Sequence, residues 1–479
     1  MPDFNTVHDL TKYYGFPFTF RPDQVHRTEF AYTYPKSALF DDAGTGKTAV
    51  ATAVSLAWEA EMTIVVAPPI LGRQWERWLQ SLTGIGKIVR YKGTPKKRSE
   101  LDIKSANWLI MSIQIFKKDW NHLFLSLSAR KVMLLVDEAT AIANSESDNY
   151  RAVKSWGDIG SNRVILMTAT PVNHPEQAYA YISIKTPAIY RSLGHFNQVH
   201  VVDRDIYDKV TEWDGLDLVR DRLMMRAVRT FKEDVLDLHK PNYIPIAYEL
   251  EPAHMKLYNK LMDEMLLELP DNTVIDATNG STLHHAAQQI ISNWGHYAGE
   301  EGKRPAIFDV VDNMIEESDC LTPGSSKLIL FTYYKLTSAA LTKYLTQDRG
   351  IDTVACYSAV SGAQQERNID RFLYDDKCRI LIGQPQSVGY GLNPQAVCWE
   401  VGFVECPTNP MHFRQAVERI YRDGQLHVPN VRLPFAEHTV QVSLHERLLS
   451  NDDMASYLQG AHSTLRQAIH GATRKELQC

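Results

Sequence analysis

The sequence predicts an α/β protein made of parallel sheets in two βα-alternating halves with helical insertions. Three observations carry this. A strand–loop–helix unit, residues 37–59, holds the run Gly44-Thr45-Gly46-Lys47-Thr48. Apolar, β-branched runs recur at 62–66, 132–136 and 163–167, each ending in small or polar residues. They are continuous rather than alternating, as in strands buried on both faces. The rhythm lapses after residue 174 and resumes at Lys327.

In order, residues 1–36 hold aromatics and the segment Phe20 to Gln24, whose terminal amide both donates and accepts and so could read an adenine edge. Next, Ala38, Leu39 and Phe40 form a strand that runs into Asp41 and Asp42. The glycines Gly44 and Gly46 allow close backbone approach, and the backbone N–H groups of the loop and helix start make a polyphosphate cradle. In this pattern Lys47 meets the β/γ-phosphates and the Thr48 hydroxyl holds Mg²⁺. The full phosphate-loop pattern asks for Gly where this chain has Asp41.

Met62–Val66 is a buried strand stopped by Pro68 and Pro69, and Trp75, Trp78 and Leu79 share helical spacing. Residues 87–92 and 107–113 read as strands, with the basic run Lys96, Lys97, Arg98 in a solvated loop between them. The strand in Lys131–Thr140 delivers Asp137 and Glu138 to its carboxyl end, where open α/β sheets bind ligands. Asp137 suits Mg²⁺, and Glu138 suits activation of the attacking water. Arg163–Asn173 is another strand, ending in Thr168, Ala169, Thr170 and Pro171, hydroxylated residues able to sense a γ-phosphate.

Residues 174–240 are mainly helical and carry Arg220, Arg222, Arg226, Arg229 and Lys232; residues 250–320 are helical, with a turn at 276–281. From Lys327 come strands at 328–331, 351–357, 378–383 and 397–405, and the glycine pair Gly389 and Gly391. His412–Gln425 is expected to be one helix, placing Gln415, Arg419 and Arg422 on one face. Paired arginines there suit contact with a developing γ-phosphate charge.

A net charge of −6 gives no support to wholesale nucleic-acid binding, so any such binding must use a locally basic cleft. Six cysteines without a CxxC or Cys/His pattern argue against zinc and disulfides and for a reducing compartment, so a cytoplasmic location, or a nuclear one, is expected. No apolar run is long enough for a membrane span, and the N-terminus is too polar for a signal peptide.

Together, in this order, the blocks FRPDQ, DDAGTGKT, TIVVAPPILGRQW, VDEAT, LMTATP, LILFTYY, SVGYGLNPQA and RQAVERIYRDGQ resemble the superfamily-two helicase ATPases, and among them the Swi/Snf-type DNA translocases. The resemblance spans residues 18–458. It implies two RecA-like lobes: residues 1–240, with a helical protrusion at about 185–240, and residues 241–479, with a helical insertion at about 250–320. It implies ATP and Mg²⁺ as cofactors and duplex or branched DNA, gripped by its phosphate backbone, as partner. It assigns Gln24 to adenine, Gly44 through Thr48 and Gly391 to the nucleotide, Thr48 and Asp137 to the metal, Glu138 to water, and Arg419 and Arg422 to arginine-finger positions. Thr140 and Tyr421 stand where the family often has His, and the missing first Gly is typical of the Swi/Snf group.

The function expected is ATP-driven movement on double-stranded DNA that remodels DNA structures or protein–DNA complexes. Two rivals are a strand-separating or fork- and branch-migrating helicase, and a nucleotide-gated DNA-binding scaffold without turnover. Lys96, Lys97 and the 220–229 stretch are the candidate DNA contacts.

Overall fold

The computed structural model describes residues 4–444 except 70, 160–161, 207–209, 270–273, 278–279, 301–302, 389–391, 408–409 and 443. These residues form two compact units, divided between Asp237 and Leu238.

The first unit has nine strands: β1 (Lys36–Leu39), β2 (Met62–Val66), β3 (Ile88–Arg90), β4 (Trp108–Met111), β5 (Val132–Asp137), β6 (Arg163–Met167), β7 (Val201–Arg204), β8 (Val210–Trp213) and β9 (Ala227–Val228). Seven make one sheet in the order β3-β4-β2-β5-β6-β1-β9. Every pairing in it is parallel. The loops that follow β1, β5 and β6 therefore leave the sheet on the same edge, which gathers the phosphate loop, Asp137–Glu138 and Thr168–Pro171. Strands β2 and β6 are buried at every residue, as the unbroken apolar runs require. The core beside them includes Phe40, Phe116, Trp156, Tyr181 and Phe196.

The second unit holds β10 (Asn242–Tyr248), β11 (Leu266–Glu268), β12 (Val274–Asp276), β13 (Lys327–Phe331), β14 (Thr353–Cys356), β15 (Ile380–Gly383), β16 (Cys398–Phe403) and β17 (Asn430–Ala436). Six of them form a parallel sheet ordered β10-β17-β16-β13-β15-β14. Two parallel sheets, of seven and six strands, are the α/β architecture expected of RecA-like lobes.

Several elements differ from the sequence expectation. The 174–240 region is not simply helical: it contains the antiparallel hairpin β7–β8 and the strand β9, which joins the main sheet. A two-residue strand has no periodicity to read. Strand β10 carries Pro245 and lies at the sheet edge, where a missing N–H is tolerated. Strand β17 carries Pro434, beyond the three residues, Asn430 to Arg432, that pair with β16. Between 250 and 320, the hairpin β11–β12 precedes a helix, Gly280–Ala298, that breaks at Asn293.

The expected helix over 412–425 stops at Val417, having begun at Pro410. The chain then tightens into turns, with Arg419 N donating to Ala416 O and Ile420 N to Val417 O. Such i→i+3 bonds are a common way for a helix end to satisfy its last carbonyls. Ile420 and Tyr421 are drawn into the core beside Phe413 and Val417. No helix among the described residues is long and apolar enough to cross a membrane. The five described cysteines are buried and free.

Candidate nucleotide site

The phosphate loop is built by β1, which is buried from Ser37 onward, and by the helix Lys47–Ala57. Gly44 and Gly46 have φ of 84° and 94°, the left-handed region that glycine occupies without strain. A Cβ at Gly46 would lie 2.3 Å from the Gln24 amide nitrogen, so a side chain there would displace that amide as well as strain the backbone. Gly46 is also the residue before the helix, and no side chain caps it. The first helical N–H groups are thus left for an anion, and the dipole favours negative charge there. The Lys47 ammonium donates to the loop's own carbonyls, Asp41 O at 2.6 Å and Asp42 O at 3.0 Å.

The loop is braced from behind by the helix Pro22–Thr33. Three donors converge on the Thr45 carbonyl: Arg21 Nη2 at 2.9 Å, Arg27 Nη2 at 2.9 Å and Gln24 Nε2 at 3.4 Å. Gln24 also accepts from Arg21 N at 2.9 Å, closing a capping box. The amide therefore bridges its own helix start and the phosphate loop. Asp41, where a glycine was expected, is fully buried and accepts from Arg27 Nη1 at 2.9 Å. Its other oxygen, Oδ1, is buried without a hydrogen-bond partner. Arg27 also pairs with Asp23. Asp42 accepts from Arg229 Nη2 and Lys232 N, both at 3.1 Å.

At the carboxyl end of β5, Asp137 Oδ1 accepts from Glu138 N at 3.0 Å and Oδ2 from the Trp75 indole at 2.8 Å. Two donors from different elements fix the carboxylate plane. Glu138 itself has φ 51°, a left-handed conformation uncommon for a non-glycine residue and often seen at functional sites. After β6, Thr170 N donates to Thr168 Oγ1 at 3.2 Å, while the Thr170 hydroxyl is buried with no hydrogen-bond partner.

The donor set fits a magnesium nucleotide. The loop offers free helical N–H groups, a left-handed glycine packed against the Gln24 amide, and a lysine resting on weak neutral acceptors. Thr48 and Asp137 supply hard oxygen donors, which suit Mg²⁺ held by one or two protein ligands plus phosphate oxygens. No cluster of three His, Cys, Asp or Glu suited to a metal exists among the described residues.

The candidate DNA-contact residues divide sharply. Lys96 and Lys97 are exposed on a short helix, Pro95–Ser99, rather than in a loop. Arg98 turns inward to Asp119, at 2.7 and 3.1 Å. Arg220 pairs with Asp217 and Asp221, and Arg222 lies 4.7 Å over the Tyr190 ring. Arg226 donates to Lys185 O at 2.9 Å, and Arg229 is only 6% exposed. Within the 220–229 stretch, then, Arg229 is turned inward, while Arg226 is exposed and the Arg220 side chain is 33% exposed. Sequence alone missed the Arg27–Asp41 pair, the Trp75 contact to Asp137 and the Arg229 contact to Asp42. The only available signal was the odd aspartate pair itself.

In the second unit, Arg419 is buried and its Nε donates to Gln415 O at 3.2 Å. Arg422 contacts Asn393 Oδ1, and its Nε is buried without a hydrogen-bond partner. Burial, with Arg419 close by, pushes the Arg422 guanidinium down to about 10. Gln415, Arg419 and Arg422 remain adjacent, but on a helix end followed by turns. Gly389 and Gly391 lie outside the described residues.

A parallel sheet with a phosphate loop after β1 and an Asp-Glu pair after β5, in a chain that also holds a second parallel α/β unit, defines a P-loop nucleotide hydrolase of helicase type. The SNF2-related domain family matches residues 34–293, and the helicase conserved C-terminal domain matches residues 308–424. The chain belongs to the SNF2-related ATP-dependent helicases. It is 23% identical to the uncharacterized ATP-dependent helicase YqhH of Bacillus subtilis, over 92% of this chain and 82% of that protein. It is 22% identical to the mouse DNA annealing helicase and endonuclease ZRANB3, over 84% of this chain but 37% of that protein. Against the Mycoplasma genitalium helicase MG018, also 23% identical, it likewise spans only 38% of the relative. A Sulfolobus solfataricus SWI2/SNF2 ATPase core solved with double-stranded DNA aligns over 97% of both chains, at 18% identity and a TM-score of 0.42.

Proposed function

We propose that this ATPase is a motor that moves on double-stranded DNA and remodels DNA structures or protein–DNA complexes. The observation that carries the reading is the shared edge of the first sheet. The hydrolytic residues follow β1 and β5, and the exposed Lys92, Lys96 and Lys97 follow β3 at the same, carboxyl, end. Phosphate-backbone contacts by such lysines fix position without reading sequence, so binding would be nonspecific and salt-sensitive. The ZRANB3 relatives, named as DNA annealing helicases, support DNA as the track.

In the proposed cycle Lys47 holds the β/γ-phosphates, and Gln24 contacts the base. Glu138 orients and deprotonates the attacking water, and Arg419 and Arg422 meet the charge that develops on the γ-phosphate. Mg²⁺ held through Thr48 and Asp137 would neutralise phosphate charge.

The test is ATP turnover without DNA and with single-stranded, duplex and branched DNA, together with displacement of a third strand from intact duplex. Stimulation by duplex and third-strand displacement without unwinding are expected. Unwinding of a forked duplex without duplex translocation would favour the helicase alternative. ATP binding without DNA-stimulated turnover would favour the scaffold.

A further inference from the structure

Residues 226–232 run along the phosphate loop as a strap. The backbone ladder of β9 on β1 continues past the strand end: Ala38 N donates to Arg226 O at 3.0 Å, Phe40 N to Val228 O at 2.9 Å and Asp42 N to Thr230 O at 3.0 Å. The Asp42 carboxylate then accepts from Lys232 N and from Arg229, each at 3.1 Å. The other arm of the same guanidinium, Nη1, donates to Ala169 O at 2.9 Å, in the segment after β6. Phe231 backs the guanidinium at 4.9 Å. The Arg229 side chain is 6% exposed and that of Asp42 is 14% exposed, so solvent screens the pair weakly.

We propose that Arg229 is a positioning residue for ATP hydrolysis, its guanidinium fork holding the phosphate loop and the Thr168–Pro171 segment at a fixed separation. One planar cation meets both segments, each through a separate N–H. A lysine is a point charge on a flexible stem and cannot donate in two fixed directions. The neighbouring Thr170 hydroxyl, 2% exposed and without a hydrogen-bond partner, lies in the segment so held. The chain between Pro171 and Arg226 leaves the sheet beside Ala169 and returns along the strap. Both ends of that insertion are thus tied to the phosphate loop through one side chain.

The inference rests on ATP hydrolysis and not on the DNA reading, so each measurement is made with and without duplex DNA. Arg229→Lys and Asp42→Asn are compared with the native chain for turnover number, binding of a fluorescent ATP analogue and thermal unfolding. Expected in both variants is a fall in turnover of roughly tenfold or more, the weight of one charge-assisted hydrogen bond. Analogue affinity, measured well below each variant's own unfolding midpoint, should stay close to native even where that midpoint falls, and the loss of turnover should appear without DNA as well as with it. Native turnover in Arg229→Lys would overturn the proposal. So would loss of analogue binding in step with turnover at a temperature where the variant is fully folded, which marks a purely structural pair. If Arg229→Lys does not fold, Asp42→Asn, which keeps the arginine, decides between the same outcomes. Absence of DNA stimulation with the basal defect intact would count against the translocase reading alone.

Discussion

The Arg27–Asp41 pair offers the sharpest test of how the phosphate loop is held. Arg27 is 1% exposed and Asp41 is fully buried. Asp41 Oδ2 accepts from Arg27 and Oδ1 has no hydrogen-bond partner. Arg27→Met keeps side-chain bulk but strands a buried carboxylate and removes one of the three donors to Thr45 O. Breaking a buried pair from one side costs about 3–5 kcal/mol. For a unit of this size each kcal/mol shifts the midpoint by about 2–4 °C, so a drop of roughly 6–20 °C is expected. Adding Asp41→Asn removes the stranded charge, and the double variant should be more stable than Arg27→Met alone. The assay is thermal unfolding by tryptophan fluorescence, read on the transition that ATP shifts upward, since two units need not melt together. The reasoning fails if Arg27→Met lies within about 1 kcal/mol of native, the worth of an exposed ion pair. It fails equally if the double variant is less stable than the single one.

Other outcomes follow from the same contacts. Lys47→Ala should abolish ATP turnover by removing the ammonium from the phosphates; near-native hydrolysis would refute the phosphate-loop assignment. Glu138→Gln should bind ATP but not turn it over, and loss of nucleotide affinity in a binding assay would give Glu138 another job. Glu405 follows β16, is fully buried, and accepts from Tyr333 N at 2.6 Å. Burial pushes its carboxyl up to about 7 from 4.5. Between those values the folded state holds a proton that the unfolded state releases, so this group makes stability fall as pH rises from about 4.5 to 7. Glu405→Gln should flatten the melting-temperature profile over that window, and an unchanged slope would remove Glu405 as its source.

Much was legible in the residues because short-range rules set it. Unbroken apolar runs gave β2, β5, β6 and β13, since a strand covered on both faces has no polar side to show. The glycines and Lys47 marked the phosphate loop because only that composition leaves backbone N–H groups open to an anion. The failures are of two kinds. Elements such as β9, β10 and β17 owe their existence to a neighbour strand, and two of them carry a proline that weakens any local signal. The inward turn of Arg229, within the basic stretch from Arg220 to Arg229, was not legible either, because charge along the chain says nothing about which side chains are buried.

By itself, then, the sequence determined the α/β class, the phosphate loop and the Asp137–Glu138 pair, all of which depend on residues adjacent in the chain. Tertiary structure alone decided why Asp41 and Asp42 stand at the mouth of that loop. Their partners, Arg27 and Arg229, lie 14 and 187 residues away. A buried carboxylate is tolerable only once folding brings a cation to it, and that meeting has no trace in local order.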